Sequence, residues 1–266
     1  MKFYKSLTNL SFLIGLLAVN MLGAKKQPAP YTQSKIPVAR SSKLIKREVR
    51  AALTTSLIIP CCASHARHLY KLLELYEQQT CLPDEVVISL SEANNVPPSI
   101  IESIQMRQWR FPVILIQCTE KQYAGENRNT ACSQAKGDIL ILQDADDIPH
   151  PQRIAMIKYC FEVYNIEHLM HRYAMVNKET VLPISKTIDP QKLVFRSCTL
   201  QARKNSYTNG NIAITKELFA QIQWSNKPRG QDTEFNRKVF EQKTPSLLLP
   251  AVLLYYRIFL SSQNKH

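Results

Sequence analysis

Three aspartates within four residues give the sequence its clearest chemical signal. Asp144, Asp146 and Asp147 follow Ile139–Leu142, a short apolar run of the kind that forms a buried strand. In an extended chain alternate residues share a face, so we expect the carboxylates of Asp144 and Asp146 to point the same way. Two carboxylates that close repel each other, and a divalent cation with oxygen ligands is their natural partner. Such a cation keeps positions open for the phosphate oxygens of a nucleotide diphosphate.

A polar turn is the alternative interpretation of this acidic run. In that case Asp147 caps the helix near Pro149–Pro151, and Asp144 is an ordinary turn residue. The position of the run favours a binding site, because ligands of parallel sheets bind at the carboxyl ends of the strands.

The apolar runs and helical spacings on either side of the acidic run predict an α/β fold. We expect parallel strands at Ser56–Pro60, Glu85–Leu90, Val113–Cys118 and Ile139–Leu142. We expect helices over residues 65–79, after Pro98, at Glu126–Lys136 with Gly137 as its C-terminal stop, and at Pro151–Tyr164. This alternation indicates a parallel sheet with right-handed crossovers.

The second half has a weaker pattern. Strands are predicted at His168–Val176, Asn211–Thr215 and Leu253–Ile258, and helices at Lys216–Gln223 and Thr233–Gln242. His168 and His171 are expected to be core or surface histidines rather than metal ligands.

Composition and charge exclude several classes of protein. The 266 residues are 45% hydrophobic, which is enough for a full core and excludes general disorder. The net charge is +13, but eight of the 34 basic residues lie within residues 25–50, where Glu48 is the one acid. A basic tail rather than a basic folded face argues against binding to nucleic acid.

The N-terminus has the pattern of a targeting segment. Lys2 and Lys5 precede an apolar stretch over Leu10–Leu22, and small residues follow it. Residues 1–24 are therefore predicted to be a signal peptide or an uncleaved signal anchor, so we expect an exported or membrane-associated protein rather than a cytoplasmic one. Residues 25–52 are predicted to be a basic, proline-containing linker, and residues 53–260 the folded domain.

Three short motifs, taken in order, carry a family resemblance. They are NRNTA at residues 127–131, AKGD at 135–138 and DADD at 144–147. Together with the strand SLIIP and the later stretch RGQDTEFNRKVF, they resemble the GT-A glycosyltransferases, especially the family-2-like enzymes. The usual pattern there is A-R-N-x-G, A-x-G-D and D-x-D-D. The resemblance covers residues 54–257.

The resemblance implies a GT-A fold with a mostly parallel sheet, a nucleotide-binding half at 53–150 and an acceptor half at 151–260. It implies transfer of a sugar from a nucleotide-sugar donor, first of all a UDP sugar, to a hydroxyl of a glycan, lipid or protein. The expected reaction inverts the anomeric configuration and uses Mn²⁺ or Mg²⁺ bound by Asp144 and Asp146.

By the same resemblance, individual residues receive roles. The donor-binding residues are expected to be Pro60, Ser89, Arg128 and Asp144. Asp232 matches the general base that takes the proton of the acceptor hydroxyl, a role that a carboxylate within hydrogen-bond reach can perform. Two alternatives stay open, namely that Asp232 is only a helix N-cap and that Arg128 is only an exposed helix arginine.

Two departures from the family pattern support a second hypothesis. Gln231 stands where the family usually has Glu, and Ser89 lies near the place of an Asp that reads the nucleotide. A catalytically weak GT-A-like module that binds a nucleotide sugar or glycan is therefore an alternative. A nucleotidyltransferase is a third reading, against which stands the absence of an early glycine-rich phosphate loop. Arg257 is either a contact to the diphosphate or a surface residue.

Overall fold

The computed structural model of the protein describes residues 52–177, 187–197 and 209–258. The predicted signal segment at 1–24 and residues 25–51 of the predicted linker lie outside the described residues. Within the described ranges, no helix combines the length and the apolar character that crossing a membrane requires.

The described residues form nine strands and six α-helices. The strands are β1 Thr55–Cys62, β2 Glu85–Ser91, β3 Val113–Gln117, β4 Ile139–Leu142, β5 Ile148–Pro149, β6 His168–Asn177, β7 Arg196–Ser197, β8 Ile212–Thr215 and β9 Ser246–Ile258. The helices are α1 Leu69–Glu77, α2 Pro98–Met106, α3 Ala124–Gln134, α4 Arg153–Val163, α5 Lys216–Gln221 and α6 Gln231–Glu241. Helix α1 is shorter than predicted because Ala63–His68 forms a 3₁₀ helix before it.

One sheet joins both halves of the chain, in the order β3-β2-β1-β4-β8-β6-β9-β5, with β7 beside β9. Strands β1 to β4 pair in parallel, as predicted from the alternation of strands and helices. Strand β8 then runs antiparallel between β4 and β6, and β6 and β9 are parallel to each other. The carboxyl ends of β1, β2 and β4 consequently lie at one edge of the sheet.

Both faces of the parallel strands are buried, which explains their continuous apolar sequences. On one face Leu57 and Ile88 pack in a cluster with residues of α1, α2 and α4. On the other face Ile58 and Val87 pack with residues of α3, α5 and α6. Because strand residues alternate between faces, Pro60 and Ser89 lie on the side of α3 and α6.

Gly137 does not terminate a helix, contrary to the prediction. Helix α3 ends at Gln134, and Ala135 leaves it in an extended conformation. Gly137 instead passes so close to β1 that a Cβ atom at this position would lie 2.6 Å from Ser56 Oγ. The Gly137 N–H donates to the same Ser56 Oγ at 2.8 Å, so glycine is needed here for close approach.

Helix α6 begins at Gln231, two residues earlier than predicted. Its N-cap is Gly230, which has a φ of 78° and therefore adopts a conformation that suits glycine. Asp232 lies inside the first turn, so the alternative in which its side chain is the N-cap is wrong.

Candidate active site

The acidic run forms a turn, not an extended segment. Strand β4 ends at Leu142, and the Asp147 N–H donates to the Asp144 carbonyl at 3.2 Å, which closes a turn over Asp144–Asp147. We call these four residues the acidic turn. The expected strand alternation therefore does not extend over Asp144 and Asp146, because the backbone bends between them. Both side chains are half-buried at the carboxyl edge of the sheet.

Asp147 is the buried member of the acidic turn, with 2% of its surface exposed. Its Oδ1 accepts from the backbone N–H of Arg257 at 3.2 Å, and its Oδ2 has no hydrogen-bond partner among the described residues. It is thus not a helix cap. Burial, with the nearby carboxylates of Asp144 and Asp146, raises the pKa of Asp147 well above its usual range. The Asp147 carboxyl therefore keeps its proton to a higher pH than an exposed aspartate does.

Arg128 connects the acidic turn to the second half of the chain. It projects from the first half of α3, and only 4% of its side chain is exposed. Its Nη2 donates to Asp144 Oδ1 at 2.7 Å, and its Nη1 lies 3.7 Å from Asp232 Oδ1. The alternative of an exposed helix arginine is therefore wrong. One guanidinium thus contacts both Asp144, the predicted donor-binding acid, and Asp232, the predicted base.

Asp232 is positioned by the start of α6. A quarter of its side chain, 26%, is exposed, so a small molecule can reach the carboxylate. Its own backbone carbonyl accepts from Asn236 Nδ2 at 2.8 Å within the helix. The positive end of the helix dipole and the Arg128 guanidinium both stabilise a negative charge at this place.

A loop between α5 and α6 clamps α3 to α6. Asn129 Nδ2 donates to the Trp224 carbonyl at 2.9 Å, and the Trp224 N–H donates back to Asn129 Oδ1 at 3.0 Å. The Trp224 ring stacks on Phe235 of α6 with centroids 4.1 Å apart. A Cβ on Gly125 would lie 2.4 Å from the Ser225 carbonyl oxygen, so α3 must carry glycine where the loop crosses it. This clamp fixes Arg128 relative to Asp232.

Pro60 and Ser89 lie beneath α3 on neighbouring strands, where they are register partners. Strand β2 extends to Ser91, so Ser89 lies inside the strand and not at its end. Ser89 is fully buried, and within the described ranges its hydroxyl has no hydrogen-bond partner. The structure therefore places both residues behind the site, without a hydrogen bond from Ser89 to Arg128 or Asp144.

The two buried histidines have structural contacts, as expected. His168 Nδ1 lies 3.2 Å from Ser246 Oγ, and the ring meets Phe240 edge-on. His171 Nε2 accepts from Arg153 Nε at 3.2 Å. Burial lowers the pKa of both rings, so they are neutral core residues.

The same fold and sequence pattern occur in known proteins. The family model described as Glycosyl transferase family 2 matches residues 56–180, which contain β1 to β4, Arg128 and the acidic turn. TarS 1–349 from S. aureus, solved with UDP-GlcNAc, has a TM-score of 0.60 and 15% identity over 80% of this chain and 60% of that chain. The chain has the fold of the GT-A glycosyltransferases, and its residues 56–180 match glycosyltransferase family 2.

Two other glycosyltransferase structures share the fold, with similar TM-scores. GalNAc-T7, solved with UDP, GalNAc and Mn²⁺, has a TM-score of 0.62 and 15% identity over 81% of this chain and 46% of that chain. The mannosyltransferase PcManGT from Pyrobaculum calidifontis, solved with GDP-Man and Mn²⁺, has a TM-score of 0.57 and 15% identity over 94% of this chain and 65% of that chain.

Two curated relatives are described as uncharacterized glycosyltransferases. One from Haemophilus influenzae is 30% identical over 171 residues, which is 63% of this chain and 54% of the relative. Another from Methanocaldococcus jannaschii is 24% identical over 196 residues, which is 72% of this chain and 66% of the relative. The chain thus spans about half the length of the Haemophilus relative.

The carboxylates of the acidic turn are oxygen ligands of the kind that a hard divalent cation takes. Asp146 is half-buried and makes no hydrogen bond or ion pair with the rest of the described chain. Within residues 52–177, 187–197 and 209–258, no three or more His, Cys, Asp and Glu side chains form a group that could by itself hold a metal ion. Mg²⁺ typically takes one or two carboxylates and completes its shell with water and substrate phosphates, and the acidic turn offers that partial set.

Sequence reasoning missed the polar groups that support the acidic turn. Gln143 and Arg153 are both fully buried, and both contact the turn or the end of β4. Gln143 gave one faint signal, since it is a polar residue between a buried strand and an acidic run. Arg153 gave none, because arginine is usually exposed.

Proposed function

We propose that this glycosyltransferase moves a sugar from a nucleotide-sugar donor to an acceptor hydroxyl with inversion, and that it requires a divalent cation. UDP sugars are the first candidates because the relatives TarS and GalNAc-T7 were solved with UDP or UDP-GlcNAc. One observation carries the proposal. Arg128 places its guanidinium 2.7 Å from Asp144 and 3.7 Å from Asp232, so an acid for the donor side and an acid for the acceptor side share one site.

On the donor side, the chain supplies Asp144, Asp146 and Arg128. Asp146 and Asp144 would hold Mn²⁺ or Mg²⁺, which when bound offsets the negative charge that develops on the departing diphosphate. The planar guanidinium of Arg128 carries several N–H donors. Its Nε and Nη1 make no hydrogen bond with the described residues, so these donors are available for a phosphate or a base. Pro60 and Ser89 form the buried floor beneath α3 that the nucleotide pocket adjoins.

On the acceptor side, Asp232 takes the proton from the acceptor hydroxyl. The hydroxyl oxygen then forms a bond to the anomeric carbon while the bond from that carbon to the diphosphate oxygen breaks. Attack from the side opposite the leaving group inverts the anomeric configuration. The carboxylate at the start of α6 keeps a quarter of its side chain exposed, so an acceptor hydroxyl can approach it from solvent.

A donor panel tests the proposal directly. The full chain is incubated with Mn²⁺ and UDP-GlcNAc, UDP-glucose, UDP-galactose or GDP-mannose, and release of the nucleoside diphosphate is followed with water as acceptor. We expect release with at least one donor, dependence on Mn²⁺, and loss of donor binding in Asp146→Ala. Asp189→Ala, an acid outside the site with 44% side-chain exposure, is the matched control.

The other hypotheses predict different outcomes in this panel and in a parallel assay with a nucleoside triphosphate and a sugar phosphate. Cation-dependent binding of a donor without any turnover would support the binding module that Gln231 suggests. Release of pyrophosphate from a nucleoside triphosphate and a sugar phosphate would indicate a nucleotidyltransferase. Neither binding nor release with any of these probes would contradict the proposed function.

We also propose that the protein is exported or membrane-associated through residues 1–24, and that its acceptor belongs to a glycan, lipid or protein. The mass of the mature chain distinguishes a cleaved signal peptide from an uncleaved anchor. A full-length chain in the soluble cell fraction would contradict both forms of this proposal.

A further inference from the structure

Three polar side chains form a buried network directly behind the acidic turn. Tyr76 comes from α1, Gln143 follows β4, and Arg153 begins α4, and all three are 0% exposed. Burying such groups is unfavourable unless their hydrogen bonds are satisfied, and here each group has partners. We call these three residues the support network.

Gln143 holds both ends of the acidic turn. Its Nε2 donates to the Asp144 carbonyl at 2.8 Å and to the Asp147 carbonyl at 3.3 Å. Its Oε1 accepts from the Tyr76 hydroxyl at 2.6 Å and from Arg153 Nη1 at 3.2 Å. Because both donors meet the oxygen of the amide, the nitrogen must face the turn, and the orientation of Gln143 is fixed.

Arg153 fixes the surroundings of Asp144 on two sides. Its Nη2 donates to the Leu142 carbonyl at 2.7 Å and to the Gly210 carbonyl at 2.8 Å. Leu142 ends β4, and Gly210 lies so close to the acidic turn that a Cβ there would be 3.0 Å from Asp144 Oδ2. In the described part of the chain, the hydrogen bonds of this guanidinium all end on neutral groups, so its position is set by uncharged acceptors rather than by an acid.

The support network acts on the backbone of the acidic turn and leaves its carboxylates available. Apolar side chains could fill this buried space and would need no hydrogen-bond partners. Packing alone therefore does not explain why three polar side chains lie here. Cation sites need their first ligands held within fractions of an ångström, and residues behind the ligands supply that restraint.

We propose that Gln143, oriented by Tyr76 and Arg153, is a positioning residue that sets the acidic turn for a divalent cation and the donor diphosphate. This inference rests on the proposed function, because it concerns the same cation. Removing groups behind metal ligands typically weakens metal affinity by about 10- to 100-fold, and we expect an effect of that size.

The test measures binding of Mn²⁺ rather than activity. The full chain is titrated with Mn²⁺ in the presence of UDP, and free Mn²⁺ is quantified from its electron paramagnetic resonance signal. Gln143→Met keeps the approximate size of the side chain and removes all four hydrogen bonds, and we expect its Mn²⁺ dissociation constant to rise about 10- to 100-fold. Tyr76→Phe removes one hydroxyl from the network, and a smaller rise of several-fold is expected.

A matched control lies on the same helix. Tyr70 of α1 accepts from Arg107 Nη1 at 2.7 Å, outside the support network. Tyr70→Phe is the same chemical change as Tyr76→Phe, and we expect it to leave the Mn²⁺ affinity unchanged. Circular dichroism checks the fold of each variant, and Tyr76→Phe decides the matter if Gln143→Met does not fold.

Different results would contradict the cation-dependent reaction and the positioning role of Gln143. A wild-type chain that does not bind Mn²⁺ with UDP would contradict the cation-dependent reaction itself. A wild-type chain that binds Mn²⁺, together with folded Gln143→Met and Tyr76→Phe variants of equal affinity, would overturn the positioning role alone.

Discussion

The link between Arg128 and Asp144 predicts a measurable coupling free energy. Replacing Arg128 by Gln leaves the Asp144 carboxylate without its partner, next to the other acids of the acidic turn. Replacing Asp144 by Asn leaves the guanidinium without its acceptor. If the two groups stabilise each other as the 2.7 Å contact indicates, the double variant loses less stability than the sum of the single variants.

The size of this coupling free energy follows from the distance between the two groups and from their burial. Two unit charges 2.7 Å apart attract by about 6 kcal/mol at an effective dielectric constant of about 20. Desolvation of Arg128, which is 4% exposed, offsets much of this, while Asp144 at 25% exposure keeps part of its hydration. We therefore expect Arg128→Gln to lower the free energy of unfolding by about 3 kcal/mol, and the coupling to be about 2 kcal/mol.

Urea denaturation of the wild-type chain, the two single variants and the double variant measures this coupling. A second double-mutant cycle, on Arg237 and Glu241, is the control. This pair has the same 2.7 Å separation, but its side chains are 50% and 46% exposed. Exposed pairs of this kind contribute only about 0.3–0.5 kcal/mol. A coupling free energy for Arg128 and Asp144 no larger than that of the control would refute the view that the buried Arg128 guanidinium stabilises the site through Asp144.

Two further predictions concern the clamp and the core. Asn129→Ala removes both hydrogen bonds to the backbone of Trp224, so we expect the free energy of unfolding in urea to fall by about 1–3 kcal/mol and donor turnover to be slower. Asn129→Asp keeps the bond from the Trp224 N–H, so we expect it to lie between Asn129→Ala and the wild type in both measurements. Burial lowers the pKa of His168 from 6.5 to about 4, so the unfolded chain binds the proton first as the pH falls. Between pH 7.5 and pH 5 this histidine should lower the free energy of unfolding by about 2 kcal/mol, and His168→Gln should show a decrease smaller by that amount; an unchanged pH dependence would show that the ring is already protonated or exposed in the fold.

The parallel half of the fold was predictable from the sequence. Strands buried on both faces need continuous apolar runs, and β1, β2, β3 and β4 each carry one. Parallel topology then places whatever follows β4 at the carboxyl edge, which is why the acidic run could be assigned to a site before its geometry was known.

The local geometry of the site was not predictable by the same reasoning. Alternation along a strand stops applying where the backbone turns, and the turn over Asp144–Asp147 begins two residues after Leu142. The contact between Arg128 and Asp232 depends on how α3 and α6 pack against each other on one face of the sheet, which no local pattern encodes. Buried polar residues such as Gln143 have no periodicity of their own, because their partners come from distant elements.

The role of Asp232 is the central chemical claim, and one comparison tests it most directly. The dissociation constant for the donor and the rate of transfer are measured for the wild-type chain and for Asp232→Asn, with the donor that the panel identifies. Asparagine keeps the shape of the aspartate side chain but cannot take the proton of the acceptor hydroxyl. We therefore expect donor affinity within about twofold of wild type and a turnover lower by about 10²- to 10⁴-fold. Wild-type turnover in Asp232→Asn would contradict the assignment of this residue as the base.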